Sequence, residues 1–308
     1  LANVFLARRL SPRESDNIVL PGLSPAGDPA RRSRWIRIGL VAAGFTVALF
    51  FGLAEGSGWE EILLFFHRIP VGYQDPLFGK DASFFIHTLP FIRRLLDFST
   101  AALICTFLGV LAVYALDRAA RLSGYRLHLA PYVKGHISVL AALLLVCVAV
   151  GFIVSSWELV HSPRGVVFGA GYTDTAVQLP VMRVLALVAL VSAIIFLLNI
   201  YYRGWRLPLI AVGFLTLMWL GAGQVYPAIV QQYRVSPNEI EVESPYIANN
   251  IDATRFAYGL DRVQNRYYPA LTSLNTESIE KNRASINKKI KNTVNGFFML
   301  ILRFTAKF

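Results

Sequence analysis

Long runs of apolar residues recur along the chain up to residue 226, with short polar segments between them. Five runs have no ionisable side chain near their centres, at about 35–54, 98–116, 137–157, 181–202 and 207–226. A helix needs about 20 apolar residues to cross roughly 30 Å of hydrocarbon. The pattern therefore predicts an all-α fold, a polytopic bundle of five transmembrane helices with loops and short capped helices outside the bilayer.

The last run, Leu207 to Tyr226, contains no ionisable residue. Trp205 precedes it, and Trp219 and Tyr226 lie near its far end, where aromatic rings favour the headgroup layer. Pro227 follows at once and discourages continuation of the helix. We therefore expect the membrane part of the chain to end here.

A polar segment with helix-capping signals comes next. Ser236, Pro237 and Glu239 form a capping box with proline at the first helical position. Ser244 and Pro245 repeat the start of this pattern. The sequence therefore predicts two short helices after the last span.

The second of these helices carries an apolar stripe. Ile247, Ile251, Thr254 and Tyr258 fall on one helical face, and Gly259 supplies a stop signal. We hypothesise that residues 236–258 pack back on loops 72–90 and 162–180, and we call these three segments together the collar. The alternative is that the stripe rests on lipid headgroups.

Composition supports a membrane protein. The chain has 308 residues, of which 55% are hydrophobic and 16% charged, whereas soluble domains carry about 25% charged residues. A net charge of +11 could indicate nucleic-acid binding. The Lys and Arg residues instead lie in short loops and in the tail, which is the signal of membrane topology, so we expect no nucleic-acid partner.

The basic residues also predict sidedness, because cytoplasmic loops are enriched in Lys and Arg. The basic residues of the predicted inner segments are Arg8, Arg9, Arg13, Arg31, Arg32, Arg34, Arg37, Arg118, Arg121, Arg126, Lys134, Arg203 and Arg206. Fewer lie in the predicted outer segments. We expect an inner or plasma membrane protein with residues 1–34 as a cytoplasmic Arg-rich loop, 35–226 as the five-span bundle and 227–308 as an extracytoplasmic segment.

Two predicted features lie between the first and second spans. Residues 59–68 have an apolar face but are too short to span, which indicates an interfacial helix. Asp75, Pro76 and Gly79 are turn formers, and Asp75 and Asp81 are expected to cap backbone amides. The two carboxylates could also contribute to a cation site, although such sites normally need more oxygen ligands.

The next predicted outer loop is rich in glycine between Gly165 and Gly171. It lacks the Lys-Ser/Thr ending of a phosphate-binding loop, so we favour a tight turn. Asp174 is expected to cap the segment that follows.

No pattern in the sequence indicates catalysis. The histidines show no metal-binding spacing, and no GxSxG motif occurs. Cys105 and Cys147 lie inside apolar runs and are expected to be buried hydrophobic residues. We therefore predict no catalytic, metal-binding or cofactor-binding residues and no enzymatic activity.

Three polar stretches stand out together. They read GYQDPLFGKDASFFIHTLPF from Gly72, SPRGVVFGAGYTDTAVQLP from Ser162 and YPAIVQQYRVSPNEIEVESPYIANNIDATRFAYGLD from Tyr226. These stretches resemble the UPF0182 family of bacterial multi-span proteins. The residues carrying the resemblance are Asp75, Pro76, Gly79, Asp81, Gly169, Tyr172, Asp174, Pro227, Arg234, Pro237, Glu239, Asn250, Arg255 and Gly259.

The resemblance implies that further spans precede this chain and that a large extracytoplasmic region follows it. The Lys- and Asn-rich tail, 282–308, departs from that pattern. We expect an envelope scaffold or membrane-anchored interaction protein whose partners are the lipid bilayer and other membrane or envelope proteins. The alternative is a subunit of a transporter or channel.

The predicted topology can be tested by labelling. A cysteine placed at Ser236 or Ser162 should react with a membrane-impermeant thiol reagent in intact cells or spheroplasts, because both sites are predicted to lie outside. One placed at Ser123 should not react. Labelling at Ser123 alone would invert the predicted orientation.

Overall fold

The computed structural model is helical, and its chain divides into two compact units, Leu1–Tyr258 and Gly259–Phe308. The residues that it describes are 2–10, 29–116, 120–123, 126–129, 131–202, 204–264, 266–267 and 276–305. The predicted loop residues 16–28 lie outside these ranges.

Nine α-helices are described in the first unit. They are α1 (Ala2–Leu10), α2 (Pro29–Glu55), α3 (Trp59–Phe66), α4 (Leu89–Leu116), α5 (Pro131–Glu158), α6 (Leu179–Leu198), α7 (Arg206–Met218), α8 (Tyr226–Val230) and α9 (Glu239–Ala257). Four π-helical segments, Phe84–Thr88, Asp174–Gln178, Trp219–Val225 and Gln231–Val235, extend or join these helices. Short 3-10 turns occupy Gly56–Gly58, Leu159–His161 and Ser236–Asn238.

The second unit is also helical where it is described. A 3-10 turn covers Leu260–Arg262, and two helices follow, α10 (Thr276–Lys281) and α11 (Arg283–Thr305).

Four continuous helical stretches are long and apolar enough to cross a membrane. They are Phe84–Ala115, Pro131–His161, Asp174–Leu198 and Arg206–Ala257. The predicted fold class, a helical bundle of membrane-spanning length, is confirmed. The count of five spans is not, because the apolar helical part found within the first predicted span is the shorter stretch Val41–Leu53.

Several helices begin earlier than the sequence predicts. Helix α4 starts at Leu89 rather than Phe98, since charged residues near its start do not interrupt the helix. Residues 29–34 belong to α2 and not to a loop, and residues 2–10 form α1. Arg-rich segments are compatible with helix because arginine has a high helix propensity.

Helices α5 and α6 pack together through small side chains. Ala142 and Ala149 on α5 and Ala189 and Ala193 on α6 are buried in one cluster, with Leu185 beside them. Alanine lets two helix backbones approach closely. This favours van der Waals packing, which matters in a bilayer because the hydrophobic effect does not drive helices together there. This helix pair therefore forms the centre of the bundle.

Helices α1 and α4 pack against the N-terminal part of α5. Ala7 of α1, Val110 and Tyr114 of α4 and Val133 of α5 are all buried in a second cluster. The Tyr114 hydroxyl lies 2.9 Å from His136 Nδ1, so the buried phenol has a polar partner. Burial without such a partner would be costly.

A short antiparallel hairpin joins α4 to α5. Strand β1 (Ala120–Ser123) pairs with β2 (Arg126–Leu129), with Ala120 opposite Leu129. The sequence predicts only a basic loop here. The hairpin lies at the end of the bundle opposite the collar, because α4 runs from loop 72–90 to the hairpin.

The break predicted at Pro227 is absent. Pro227 is buried in the first turn of α8, and the backbone is helical on both sides of it. The π-helical segment Trp219–Val225 leads into it without interrupting the chain path. The helical stretch from Arg206 therefore continues beyond the apolar run.

The prediction of two capped helices after the last span is also wrong. Pro245 lies inside the single helix α9, and the Ser236 hydroxyl donates to the Gln231 carbonyl oxygen at 3.0 Å instead of capping. Contacts from Glu243 and Tyr246, on either side of Pro245, hold this helix against the collar loops. Gly259 does end the helical path as predicted, with a φ of 64°.

Candidate functional site

Loop 72–90 is organised around the Asp81 carboxylate. Oδ1 accepts hydrogen bonds from the Val71 N–H at 3.0 Å and the Ser83 N–H at 2.8 Å, and Oδ2 accepts one from the Gly72 N–H at 2.8 Å. The Ser83 side chain, together with these backbone bonds, holds the pKa of Asp81 well below its usual range. The ionised carboxylate therefore ties the start of the loop to the segment around Ser83.

Asp75 closes the tip of the same loop. Its Oδ1 accepts hydrogen bonds from the N–H groups of Leu77 at 3.0 Å and Phe78 at 2.7 Å, which flank the turn begun by Pro76. Gly79 follows with a φ of 63°, a left-handed conformation that glycine adopts without steric cost. Backbone capping by both aspartates, as predicted, is confirmed.

A lysine anchors this loop to the bundle. Lys80 Nζ lies 4.3 Å from the centroid of the Phe84 ring and 5.2 Å from that of Trp157 on α5. Cations are attracted to aromatic faces, and Trp provides the strongest site. The loop is thus attached to the helix that forms the centre of the bundle.

Loop 162–180 is held by a buried carboxylate. Asp174 is only 1% exposed, and its Oδ1 lies 3.4 Å from Arg164 Nη1. Its Oδ2 accepts a 3.3 Å hydrogen bond from the Gly171 N–H, and Arg164 also donates to Gln178. The predicted capping of the following segment is wrong, because Asp174 is the first residue of that segment and its carboxylate contacts Arg164 and Gly171, which precede it.

Glu243 bonds α9 to that loop. Its side chain is 3% exposed, and both carboxylate oxygens lie 3.1 Å from the Tyr172 N–H that donates to them. A Cβ atom at Gly171 would lie 2.9 Å from Oε2, so the missing side chain there makes room for the carboxylate. This contact joins two segments that are far apart in sequence.

Burial raises the pKa of the Glu243 carboxyl, while the hydrogen bond from Tyr172 opposes the rise. The negative charges of Asp174 and Glu239 raise it further. Glu243 lies in the polar part of the helical stretch, well beyond the apolar run that ends at Tyr226. The pKa of Glu243 therefore lies above that of an exposed glutamate.

Two further residues of α9 bond to loop 162–180. The Thr175 hydroxyl donates to the Tyr246 hydroxyl at 2.7 Å, and Asn250 Nδ2 donates to the Phe168 carbonyl oxygen at 2.7 Å. Upstream of α9, the Thr173 hydroxyl donates to Gln231 Oε1 at 2.6 Å. The chain from Gln231 to Asn250 is therefore bonded to this loop at several points.

The collar also includes loop 72–90. The rings of Tyr73 and Phe256 lie 5.1 Å apart, which brings α9 against this loop as well. Packing of residues 236–258 on both loops therefore agrees with the hypothesis. The predicted contact face is wrong, because Ile251 is 50% exposed and Tyr258 is 78% exposed.

The residues of α9 that contact the loops lie on its polar face, which the sequence pattern did not single out. Glu243, Tyr246 and Asn250 recur at helical spacing and contact the loops, whereas an apolar stripe was expected to do so. The burial of Glu243 could not be predicted from the neighbouring sequence, because its partner is the backbone N–H of a residue far away in the chain.

Some of the residues that carry the family resemblance lie at one cavity, and others lie apart from it. Asp75, Pro76, Gly169 and Asn250 line one cavity, and Tyr172 and Asp174 lie beside it in the loop bonded to Glu243. The guanidinium carbon of Arg234 lies 5.2 Å from the centroid of the Tyr172 ring. Pro237, Glu239 and Arg255 are exposed, and no contact shown by the structure brings them to the cavity.

The cavity has a volume of about 430 Å³ and lies between the three segments of the collar. Tyr73 and Asp75 come from the first loop, Phe168 and Thr175 from the second, and Tyr246 and Asn250 from α9. Aromatic faces, hydroxyls, an amide and a carboxylate thus line one space. Mixed walls of this kind are typical of binding sites.

Among the described residues, no group of three or more His, Cys, Asp or Glu side chains could hold a metal ion. The four apolar helical stretches of membrane-spanning length indicate a membrane-embedded helical protein, with the collar at one end of the bundle.

The chain belongs to the UPF0182 family, because the model of that uncharacterised protein family matches residues 1–291. A UPF0182 protein of Frankia alni is 36% identical over 252 residues, covering 82% of this chain and 25% of the relative. One of Thermobifida fusca is 38% identical over 233 residues, covering 76% of this chain and 23% of the relative. This chain thus spans about a quarter of the length of these relatives, and no solved structure matches it.

The capping role of Asp81 can be tested by Asp81→Ala. We expect a lower melting temperature in detergent with or without EDTA, because three backbone N–H groups lose their acceptor. The lowered pKa places this stabilisation above the ordinary carboxyl pKa of about 3.9, and it is lost as the pH falls through the folded-state value. Wild type and variant should therefore differ equally at pH 7 and pH 5.

Asp261→Ala, at an exposed aspartate, is the control and should leave the melting temperature unchanged. The capping role would be contradicted, and a metal site supported, by one result. EDTA alone would lower the melting temperature of wild type as much as the substitution does, and it would have no effect on Asp81→Ala.

Proposed function

We propose that this chain is the membrane anchor of an envelope scaffold and that the collar positions the region that follows it. The observation that carries the proposal is the set of bonds from α9 to loop 162–180, made by Glu243, Tyr246 and Asn250. A flexible tether needs no such bonds. The bundle would fix the anchor in the bilayer, and the collar would transmit its orientation.

The proposed orientation places the collar outside the cytoplasm. It rests on the distribution of Lys and Arg, which concentrates at the opposite end of the spans. The partners proposed are the lipid bilayer and other membrane or envelope proteins, with no nucleic acid. The cavity between the collar segments offers such partners both aromatic and hydrogen-bonding groups.

We also propose that the chain is not an enzyme. The apolar runs at 98–116, 137–157, 181–202 and 207–226 lack an ionisable side chain at their centres, and such groups usually mark ion or proton pathways. This favours the scaffold over the alternative of a transporter or channel subunit.

Limited proteolysis tests whether the collar is rigid. Trypsin can cut after Arg255 and chymotrypsin after Tyr246, and both sites should resist cleavage in the purified protein. Glu243→Ala should accelerate cleavage about tenfold, since leaving a buried N–H without its partner costs roughly 1–3 kcal/mol.

Two matched variants serve as controls for that experiment. Glu243→Gln keeps an acceptor for Tyr172 and should stay protected, and Glu241→Ala changes an exposed glutamate of the same helix. Rapid cleavage of wild type between Pro237 and Gly259, with the bundle intact, would reduce the segment to a linker.

Flux measurements separate the scaffold from the transporter. Proteoliposomes loaded with a pH-sensitive or potassium-sensitive dye should show no flux above that of protein-free liposomes, because the proposed anchor has no conducting path. Flux that rises in proportion to protein content would contradict the scaffold and support the alternative.

A further inference from the structure

A second cavity, of about 490 Å³, lies between α3, α4 and α5, outside the one lined by the collar motifs. Phe85 and Leu89 supply apolar wall, whereas Arg93 and Glu158 are among its charged lining residues. The cavity therefore combines an apolar side with a rim that carries both signs of charge.

Exposed apolar surface lies beside this cavity. Trp59 and Phe66 of α3 and Leu95 of α4 are exposed, and α3 is too short to cross a membrane. An amphipathic helix of this kind lies in the plane of the interface, with its apolar face among the acyl chains. Stacking of Phe65 on Phe91, with ring centroids 4.2 Å apart, holds α3 against α4. With α3 in the plane of the interface, the cavity would lie at headgroup depth.

The arginines of the rim are already paired with carboxylates. Arg93 lies 3.2 Å from Asp97 and 3.3 Å from Glu158, and Arg94 pairs with Glu61. Two guanidinium groups thus face three carboxylates, which leaves the rim with a net negative charge. A headgroup carrying only a negative charge would meet repulsion there.

A headgroup carrying both charges would fit this rim. Arg93 is 40% exposed and Asp97 is 62% exposed, so their ion pair is open to exchange with a ligand. A phosphate could take the planar donor fork of Arg93, as arginine binds phosphate in many proteins. An ammonium group could be accepted by Asp97 and Glu158, which would then keep a cationic partner.

We propose that this cavity binds the headgroup of a zwitterionic phospholipid of the ethanolamine type, with its acyl chains lying along α3 and α4. The ethanolamine ammonium has three N–H donors, which match the acceptor oxygens of Asp97 and Glu158. A choline headgroup has the same charge but none of these donors. The distinction between the two lipids is therefore one of hydrogen bonding.

Native mass spectrometry tests the assignment on the purified full chain. The protein is equilibrated in detergent with phosphatidylethanolamine, phosphatidylcholine or phosphatidylglycerol of the same acyl chains, and bound lipid is counted. We expect preferential retention of phosphatidylethanolamine and a melting temperature that rises with that lipid. Free phosphoethanolamine should compete weakly, because it lacks the acyl chains that contact the apolar wall.

Asp97→Asn and Arg93→Gln should each reduce phosphatidylethanolamine retention about tenfold, as expected for losing a charged hydrogen bond. Asp97→Asn is the variant that disturbs the fold less, because Asp97 is exposed and its loss leaves the Arg93–Glu158 pair in place. Arg183→Gln, at an exposed arginine of α6 outside the cavity, is the matched control and should not change retention.

Equal or stronger retention of phosphatidylglycerol would overturn the zwitterionic assignment. Equal retention of phosphatidylcholine would remove the ethanolamine assignment. Unchanged phosphatidylethanolamine retention in Asp97→Asn and Arg93→Gln would show that lipid binds elsewhere, and competition by free phosphoethanolamine as strong as by lipid would indicate a site for a soluble ligand.

Discussion

A carboxylate removed from water must find hydrogen-bond donors, and Glu243 finds the backbone N–H of Tyr172. This requirement ties α9 to loop 162–180. The close approach depends on Gly171, where any side chain would meet the carboxylate. Once Glu243 is seated, Tyr246 and Asn250 fall one and two helical turns further on and meet the same loop. The order of the collar therefore follows from one buried polar contact and the helical repeat.

The bundle below the collar obeys a different constraint. Hydrocarbon offers no partner for backbone polar groups, so each spanning segment must satisfy its own as a helix. Small residues then allow α5 and α6 to pack closely, as Ala149 and Ala189 show. Polar loop backbone is confined to the ends, where Asp81 and Asp174 supply acceptors for otherwise unpaired N–H groups. Apolar contact thus organises the spans, and carboxylate bonds organise the collar.

Much of this fold could be predicted from the sequence, because span formation and tight turns are local properties. The apolar runs gave the helical bundle, and Asp75 and Asp81 lie close in sequence to the amides that they cap. The failures have a common cause. Pro227 and Pro245 are local helix breakers, yet Pro227 follows a π-helical segment without a break in the helical stretch and Pro245 lies inside α9. The burial of Glu243 depends on a loop far away in sequence, so no local pattern announces it.

Hydrogen–deuterium exchange of the protein in lipid nanodiscs tests the central claim, that the collar and the bundle form one ordered structure. The account predicts slow exchange for the backbone amides of α9 from Tyr246 onward and for the Tyr172 N–H, because these groups are hydrogen-bonded in a packed segment. Exchange at the rate of an unstructured chain in these residues, with the amides of α5 and α6 still protected, would contradict it.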